Sequence, residues 1–143
     1  MKSFLFVLAL ATVCLSYAFA EQAQTPKELF LASGGFFGPD YRVFWQEGKL
    51  FYGARKNSRE KETLTALEPT AEQWASFRKT LDEVGVWGWR KKYERNVLDG
   101  TQWTITIKYG GRTVNSSGSN AYPKDYERFL AAVRNLLGGR DYF

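Results

Sequence analysis

Histidine is absent from the 143 residues and cysteine occurs once, at position 14. The imidazole and thiolate groups behind most metal sites, Ser/His triads and neutral-pH proton shuttles are therefore missing. Carboxylates, hydroxyls and amines remain. Paired acids stand at Glu60/Glu62, Asp82/Glu83 and Asp125/Glu127, and the last two pairs fall in helical patterns where a solvated face accounts for them. Glu94 and Asp99 lie in a polar stretch and are candidate acid–base partners for a glycosidase-like hydrolysis, although no sequence spacing fixes their separation. Ser116, Ser117 and Ser119 stand near Lys124, the composition of Ser/Lys nucleophilic chemistry, which needs a desolvated amine held against one hydroxyl. The same residues also read as a turn whose Ser and Asn side chains satisfy nearby backbone groups, and Asn115-Ser116-Ser117 matches the N-glycosylation acceptor triplet. Gly34, Gly35 and Gly38 do not have the spacing of a phosphate loop, and no acidic run has EF-hand spacing. No metal site and no cofactor is expected.

The densest binding signal is Trp87-Gly88-Trp89-Arg90-Lys91-Lys92-Tyr93. Neighbouring indoles and cations could stack on sugars or bases, or meet an anionic surface. An extended backbone there would send Trp87 and Trp89, two residues apart, to the same face. Trp87, Trp89, Arg90, Lys91, Lys92 and Tyr93 are thus the candidate binding residues. A packing role competes with this reading, in which the indoles close the core below the preceding helix and residues 90–92 stay solvated. Two further basic groups, Arg55, Lys56, Arg59 and Lys61, and Arg78 with Lys79, could extend the patch, diluted by Glu60, Glu62, Asp82 and Glu83. The net charge of +5 is mild; it implies solubility and weak attraction to polyanions, and no nucleic-acid module accompanies it.

The elements that must position these groups begin after a leader. Lys2 followed by an apolar run over residues 4–15, then Ala18-Phe19-Ala20 and polar Glu21-Gln22, has the three-part form of a signal peptide cleaved after Ala20. The run is too short to span a bilayer as a helix, which takes about 20 residues, so no transmembrane segment is expected after processing. Cleavage would remove Cys14 and with it any disulfide, leaving a secreted or periplasmic domain that depends on its core alone. With 44% hydrophobic residues the chain is not expected to be disordered. Residues 21–27 read as a mobile leader and 28–143 as a single domain.

Within it, Leu29-Phe30-Leu31 could open a short strand. Residues 41–46 and 49–55 read as a hairpin turned on Glu47-Gly48, and 62–67 as an edge strand or extended lead-in. Pro69 and Thr70 open a helix, with Thr70 and Gln73 at capping-box spacing and Trp74, Phe77, Leu81 and Val84 on one face. Gly85 stops it. Trp103, Ile105, Ile107 and Tyr109 alternate with polar residues as a half-buried strand. Gly110-Gly111 turns it into 112–116, a loop covers 117–122, and Tyr126, Phe129, Leu130, Val133, Leu136 and Leu137 stripe a second helix ending at Gly138-Gly139. The expectation is an α+β domain: a largely antiparallel sheet from two hairpins, two amphipathic helices on one face, order ββαββα, with the two halves a candidate internal repeat.

Phe37-Gly38-Pro39-Asp40-Tyr41-Arg42-Val43, followed by Gly48, Leu50 and Tyr52, resembles a family of small secreted bacterial proteins known only as a domain of unknown function. In that family's pattern cysteines flank the F-G-P stretch, whereas Phe36 and Asp40 stand near those positions here. The resemblance implies a secreted α+β domain and carries over no catalytic or binding residue. The functional expectation is a secreted or periplasmic binding domain, non-enzymatic, for a protein, a glycan or an anionic envelope component. The alternatives are an envelope hydrolase using Glu94, Asp99 or the 116–124 region, and a secreted enzyme inhibitor presenting the 117–122 loop.

Overall fold

The computed structural model describes residues 25–36, 38–57, 59–96 and 100–143. The expected signal peptide, leader residues 21–24, Phe37 and Asp99 lie outside the described residues. Ten elements follow in order: β1 (Glu28–Gly35), β2 (Asp40–Gln46), β3 (Lys49–Arg55), β4 (Thr63–Leu67), α1 (Ala71–Glu83), a 3₁₀ turn (Val86–Gly88), β5 (Lys92–Glu94), β6 (Thr101–Tyr109), β7 (Arg112–Ser119) and α2 (Tyr126–Leu136). The strands form one seven-stranded sheet, order β4-β3-β2-β1-β6-β7-β5.

The class is α+β, but the expected ββαββα order and two-hairpin sheet are overturned. Four strands precede α1 and three lie between the helices, so the halves do not repeat. The sheet is also mixed, because β5 runs parallel to β7. The physical reason lies in β1. Its segment Leu29-Phe30-Leu31-Ala32 carries no charge, proline or glycine, so nothing in it blocks pairing at either edge. β1 is eight residues long and pairs antiparallel with both β2 and β6, Leu31 standing opposite Val43 on one side and Ile105 on the other. It thereby joins the two hairpins into a single sheet. The ladder extends past the expected domain start, for the Lys27 amide donates to the Lys108 carbonyl at 2.8 Å and Pro26 is buried.

One face of the sheet packs on the helices. Leu29, Leu31, Val43, Leu50, Ile105 and Ile107, all fully buried, meet Phe77 and Leu81 of α1 and Phe129, Val133 and Leu136 of α2 in one cluster. The helices run antiparallel: Gln73 Nε2 at the start of α1 donates to the Asn135 carbonyl at the end of α2 at 2.7 Å, and Arg128 near the start of α2 pairs with Glu83 at 2.7 Å. Among the described residues no helix is long and apolar enough to cross a membrane.

Local chemistry sets the element ends. Thr70 Oγ1 accepts from the Gln73 amide at 3.1 Å while Gln73 Oε1 accepts from the Thr70 amide at 2.8 Å, a complete capping box. Gly85 then takes a left-handed φ of 65°, which closes α1. At the end of α2 the Gly139 amide donates to the Arg134 carbonyl and the Gly138 amide to that of Asn135, the paired bonds of a Schellman motif. Ser117–Ser119, expected in a loop, instead completes β7. Its Gly118 lies under the Trp103 indole, whose Nε1 donates across it to the Ala121 carbonyl at 3.0 Å. A Cβ on Gly118 would come within 2.3 Å of that Nε1 and 2.5 Å of that carbonyl oxygen, whereas one on Gly111 would meet nothing within 4 Å. Gly118→Ala is therefore expected to cost about 1–3 kcal/mol by overpacking, read as a lower denaturant midpoint, with Gly111→Ala as the near-neutral control.

Candidate functional site

The 3₁₀ turn decides the fate of the aromatic-basic segment. With Gly85 left-handed and Val86–Gly88 wound into a turn, closed by the Trp89 amide on the Val86 carbonyl at 3.1 Å, the two indoles part. Trp89 leans into the core, its ring centroid 5.3 Å from Phe129, 5.9 Å from Tyr126 and 6.3 Å from Trp103. Trp87 turns to the far end of the β6–β7 hairpin, edge-on to Tyr109 at 6.4 Å. Tyr93 is buried beneath Arg90, whose guanidinium lies 4.5 Å over the ring, and the Tyr93 hydroxyl accepts from the Arg90 amide at 3.1 Å. Arg90, Lys91 and Lys92 are exposed, Lys92 pairing with Glu94 at 2.6 Å. The structure thus brings Arg90 to Tyr93, and it does not bring the two indoles onto one exposed face.

Trp87 belongs to a knot around Asp82. One carboxylate oxygen, Oδ1, accepts from Trp87 Nε1 at 2.7 Å, Arg112 Nη1 at 2.8 Å and Arg78 Nη1 at 2.9 Å. The Arg78 guanidinium also lies over Tyr109 at 4.8 Å and Trp87 at 5.2 Å. These contacts tie the end of α1 to the β6–β7 turn. Burial alone would raise the Asp82 pKa, but the bonds from Trp87 and Arg78 and the charges of Arg78 and Arg112 outweigh it, and the carboxyl titrates below its ordinary value.

Of the hydrolase candidates, Ser116 and Ser117 bond to the backbone before β5. The Ser116 hydroxyl is buried and donates to the Arg90 carbonyl at 2.6 Å, and that of Ser117 reaches the Lys91 carbonyl at 3.4 Å. Together they hold the approach to β5 against β7. Lys124 is exposed in the turn before α2.

A surface not singled out from the sequence lies on the other face of the sheet, which neither helix covers. Register places Phe51, Phe44, Phe30 and Thr106 in a row across β3, β2, β1 and β6. The Phe44 and Phe51 rings are 5.2 Å apart and within 17° of parallel. The two rings stack across the gap between β2 and β3, where neighbouring strands lie about 4.8 Å apart. With Phe30 they make an apolar ridge along one row of the sheet. The next rows hold Gly53, Arg42, Ala32 and Thr104, then Arg55 and Asp40 beside Gly34 and Gln102. Here Asp40 and Glu62 lean over Gly34 and Gly53, where a Cβ would clash with their carboxylate oxygens. Each acid is held by an arginine: Arg55 Nε donates to Asp40 Oδ2 at 2.6 Å and Arg42 Nη2 to Glu62 Oε2. Arg42 also lies 5.3 Å over Phe44. Around these pairs opens a depression of about 760 Å³ lined by Ala32, Gly34, Asp40, Arg42, Glu62 and Gln102.

The signal for this surface was in the sequence, as apolar residues at both parities in Leu29-Phe30-Leu31, Val43-Phe44-Trp45 and Leu50-Phe51-Tyr52. The row itself depends on register, which single strands do not reveal. The chain matches no protein-family model and no curated protein sequence.

Two pH dependences follow. The folded pKa of Asp82 is below its unfolded one, so its contribution is present above the unfolded value and lost as pH falls through the folded one. Asp82→Asn is expected to be less stable than the parent at neutral pH and to lose less of its remaining stability below about pH 4, measured by denaturant unfolding across pH. At the other extreme, burial raises the pKa of Tyr109, Tyr126 and Tyr142. Their contribution is complete below the unfolded tyrosine value, about 10, and is lost as pH rises beyond it, so tyrosinate absorbance and unfolding should rise together in an alkaline titration.

Proposed function

We propose that the chain is a secreted or periplasmic binding domain whose partner is a protein, docked on the uncovered face of the sheet. The observation that carries this reading is the Phe30–Phe44–Phe51 row, on a face that neither helix covers. Apolar ridges of this kind interlock with the side chains of another protein surface, as the two inner faces of a sandwich do. A sugar ring or a base would instead need a free aromatic face to lie on, and Phe44 is stacked on Phe51 and covered by Arg42. The charges beside the ridge are already matched as Arg42–Glu62 and Arg55–Asp40, which supplies orientation and specificity without a net field toward an anionic surface. Rigid ladder pairing on both sides of β1 holds the face in shape before any partner arrives.

The test places a photo-cross-linking side chain at position 44 or at position 91 in the producing cell. Capture of one defined protein from position 44, lost in a folded Phe30→Asp variant and absent from position 91, supports the reading. Salt-sensitive binding of the purified chain to peptidoglycan, anionic glycans or anionic vesicles, lost in Lys91→Ala/Lys92→Ala, would overturn it in favour of the basic segment.

A further inference from the structure

The two edges of the sheet are built differently. At one edge β5 is three residues long and carries Lys92 and Glu94, the brevity and charge with which natural sheets blunt an edge. At the other, β4 is Thr63-Leu64-Thr65-Ala66-Leu67, with no charge, proline or glycine. It pairs in unbroken register with β3 from Thr63 to Leu67, without the bulge that would turn the edge away. Among the described residues nothing pairs with its outer side.

Beside that edge, on the ridge face, lies a pocket of about 240 Å³ walled by Phe44, Phe51 and Leu64 and rimmed by Gln46, Glu47 and Lys49 of the β2–β3 turn. Leu64, which belongs to β4 itself, is 49% exposed. A strand added to β4 would run past this wall, with every second side chain on the ridge face. Glu68 follows β4 and makes no ion pair among the described residues, whereas Glu62 at the other end is already held by Arg42.

We infer that β4 accepts an extended segment of the partner protein as an eighth strand, with apolar side chains at alternate positions entering the Phe44–Phe51–Leu64 pocket and a basic residue at one end facing Glu68. Main-chain pairing supplies the attachment, and the pocket and Glu68 supply the selection. This rests on the reading of the chain as a protein-binding domain. A second copy fits the edge less well, because antiparallel pairing of two β4 strands about Thr65 brings Glu68 no cation of its own, only the Arg42-held Glu62 of the other copy.

The experiment titrates the purified chain with a synthetic capped peptide, Lys-Thr-Val-Thr-Leu-Thr-Lys, and with two relatives: one N-methylated at alternate backbone positions so that it cannot form a ladder, and one with Glu at both ends. The Lys-flanked peptide is expected to slow amide hydrogen exchange over residues 63–67 by about tenfold or more at saturation. The N-methylated peptide should give no protection, the Glu-flanked one weaker binding, and a folded Leu64→Lys variant should lose the effect. Absence of protection on β4, equal protection by the N-methylated peptide, or protection that grows with protein concentration alone, showing a second copy on the edge, would overturn the inference. If the edge gives no response while position 44 still cross-links a defined protein, the edge assignment fails and the ridge reading stands.

Discussion

Everything in this molecule depends on β1 having two neighbours. Without β1, β2–β3–β4 and β6–β7–β5 would be two separate three-stranded ribbons with no shared face for the helices. Bonded to β2 on one side and β6 on the other, β1 makes a continuous surface wide enough for two antiparallel helices. No cysteine is present in the described residues to supplement it, so cohesion comes from Leu29 and Leu31 of this strand packing with α1 and α2 in one apolar cluster.

The same arrangement divides the labour between the two faces. Aromatic rings dominate the covered side, where Trp89, Trp103, Tyr126 and Phe129 contact one another edge-on, tilted or, for Tyr126 and Phe129, stacked. On that side the sequence's most conspicuous aromatic pair is spent on packing and on tying α1 to the β6–β7 turn. The open side carries fewer aromatics, but they are aligned, and their neighbours are small or charge-matched. An aromatic-rich segment and an aromatic-presenting surface are therefore different places in this chain.

The elements with strong local signals were legible. The capping box at Thr70 and Gln73, the Glu47-Gly48 hairpin and the alternation from Trp103 to Tyr109 each depend on contacts a few residues apart. What was not legible depends on distant partners. β5 exists because Ser117–Ser119 offers it an edge, and Ser117–Ser119 is a strand because Gly118 fits under Trp103; neither half of that arrangement has a periodicity of its own. The separation of Trp87 from Trp89 followed from a left-handed Gly85 and a 3₁₀ turn, where the spacing alone suggested a shared face. The Phe row was hidden because its three members come from three strands, and only the ladder aligns them.

Ser33 and Tyr142 carry one more consequence. The Ser33 hydroxyl on β1 donates to the Tyr142 carbonyl, and the Tyr52 hydroxyl on β3 donates to that of Asp141 at 2.7 Å, with the Tyr142 side chain fully buried. Contacts spanning 109 residues seal the first strand with a segment made more than a hundred positions later. During vectorial synthesis β1 must wait, its inner face unsealed, until residues 141 and 142 have emerged. A nascent chain arrested before residue 140 would therefore offer chaperones and proteases an open core rather than a finished half.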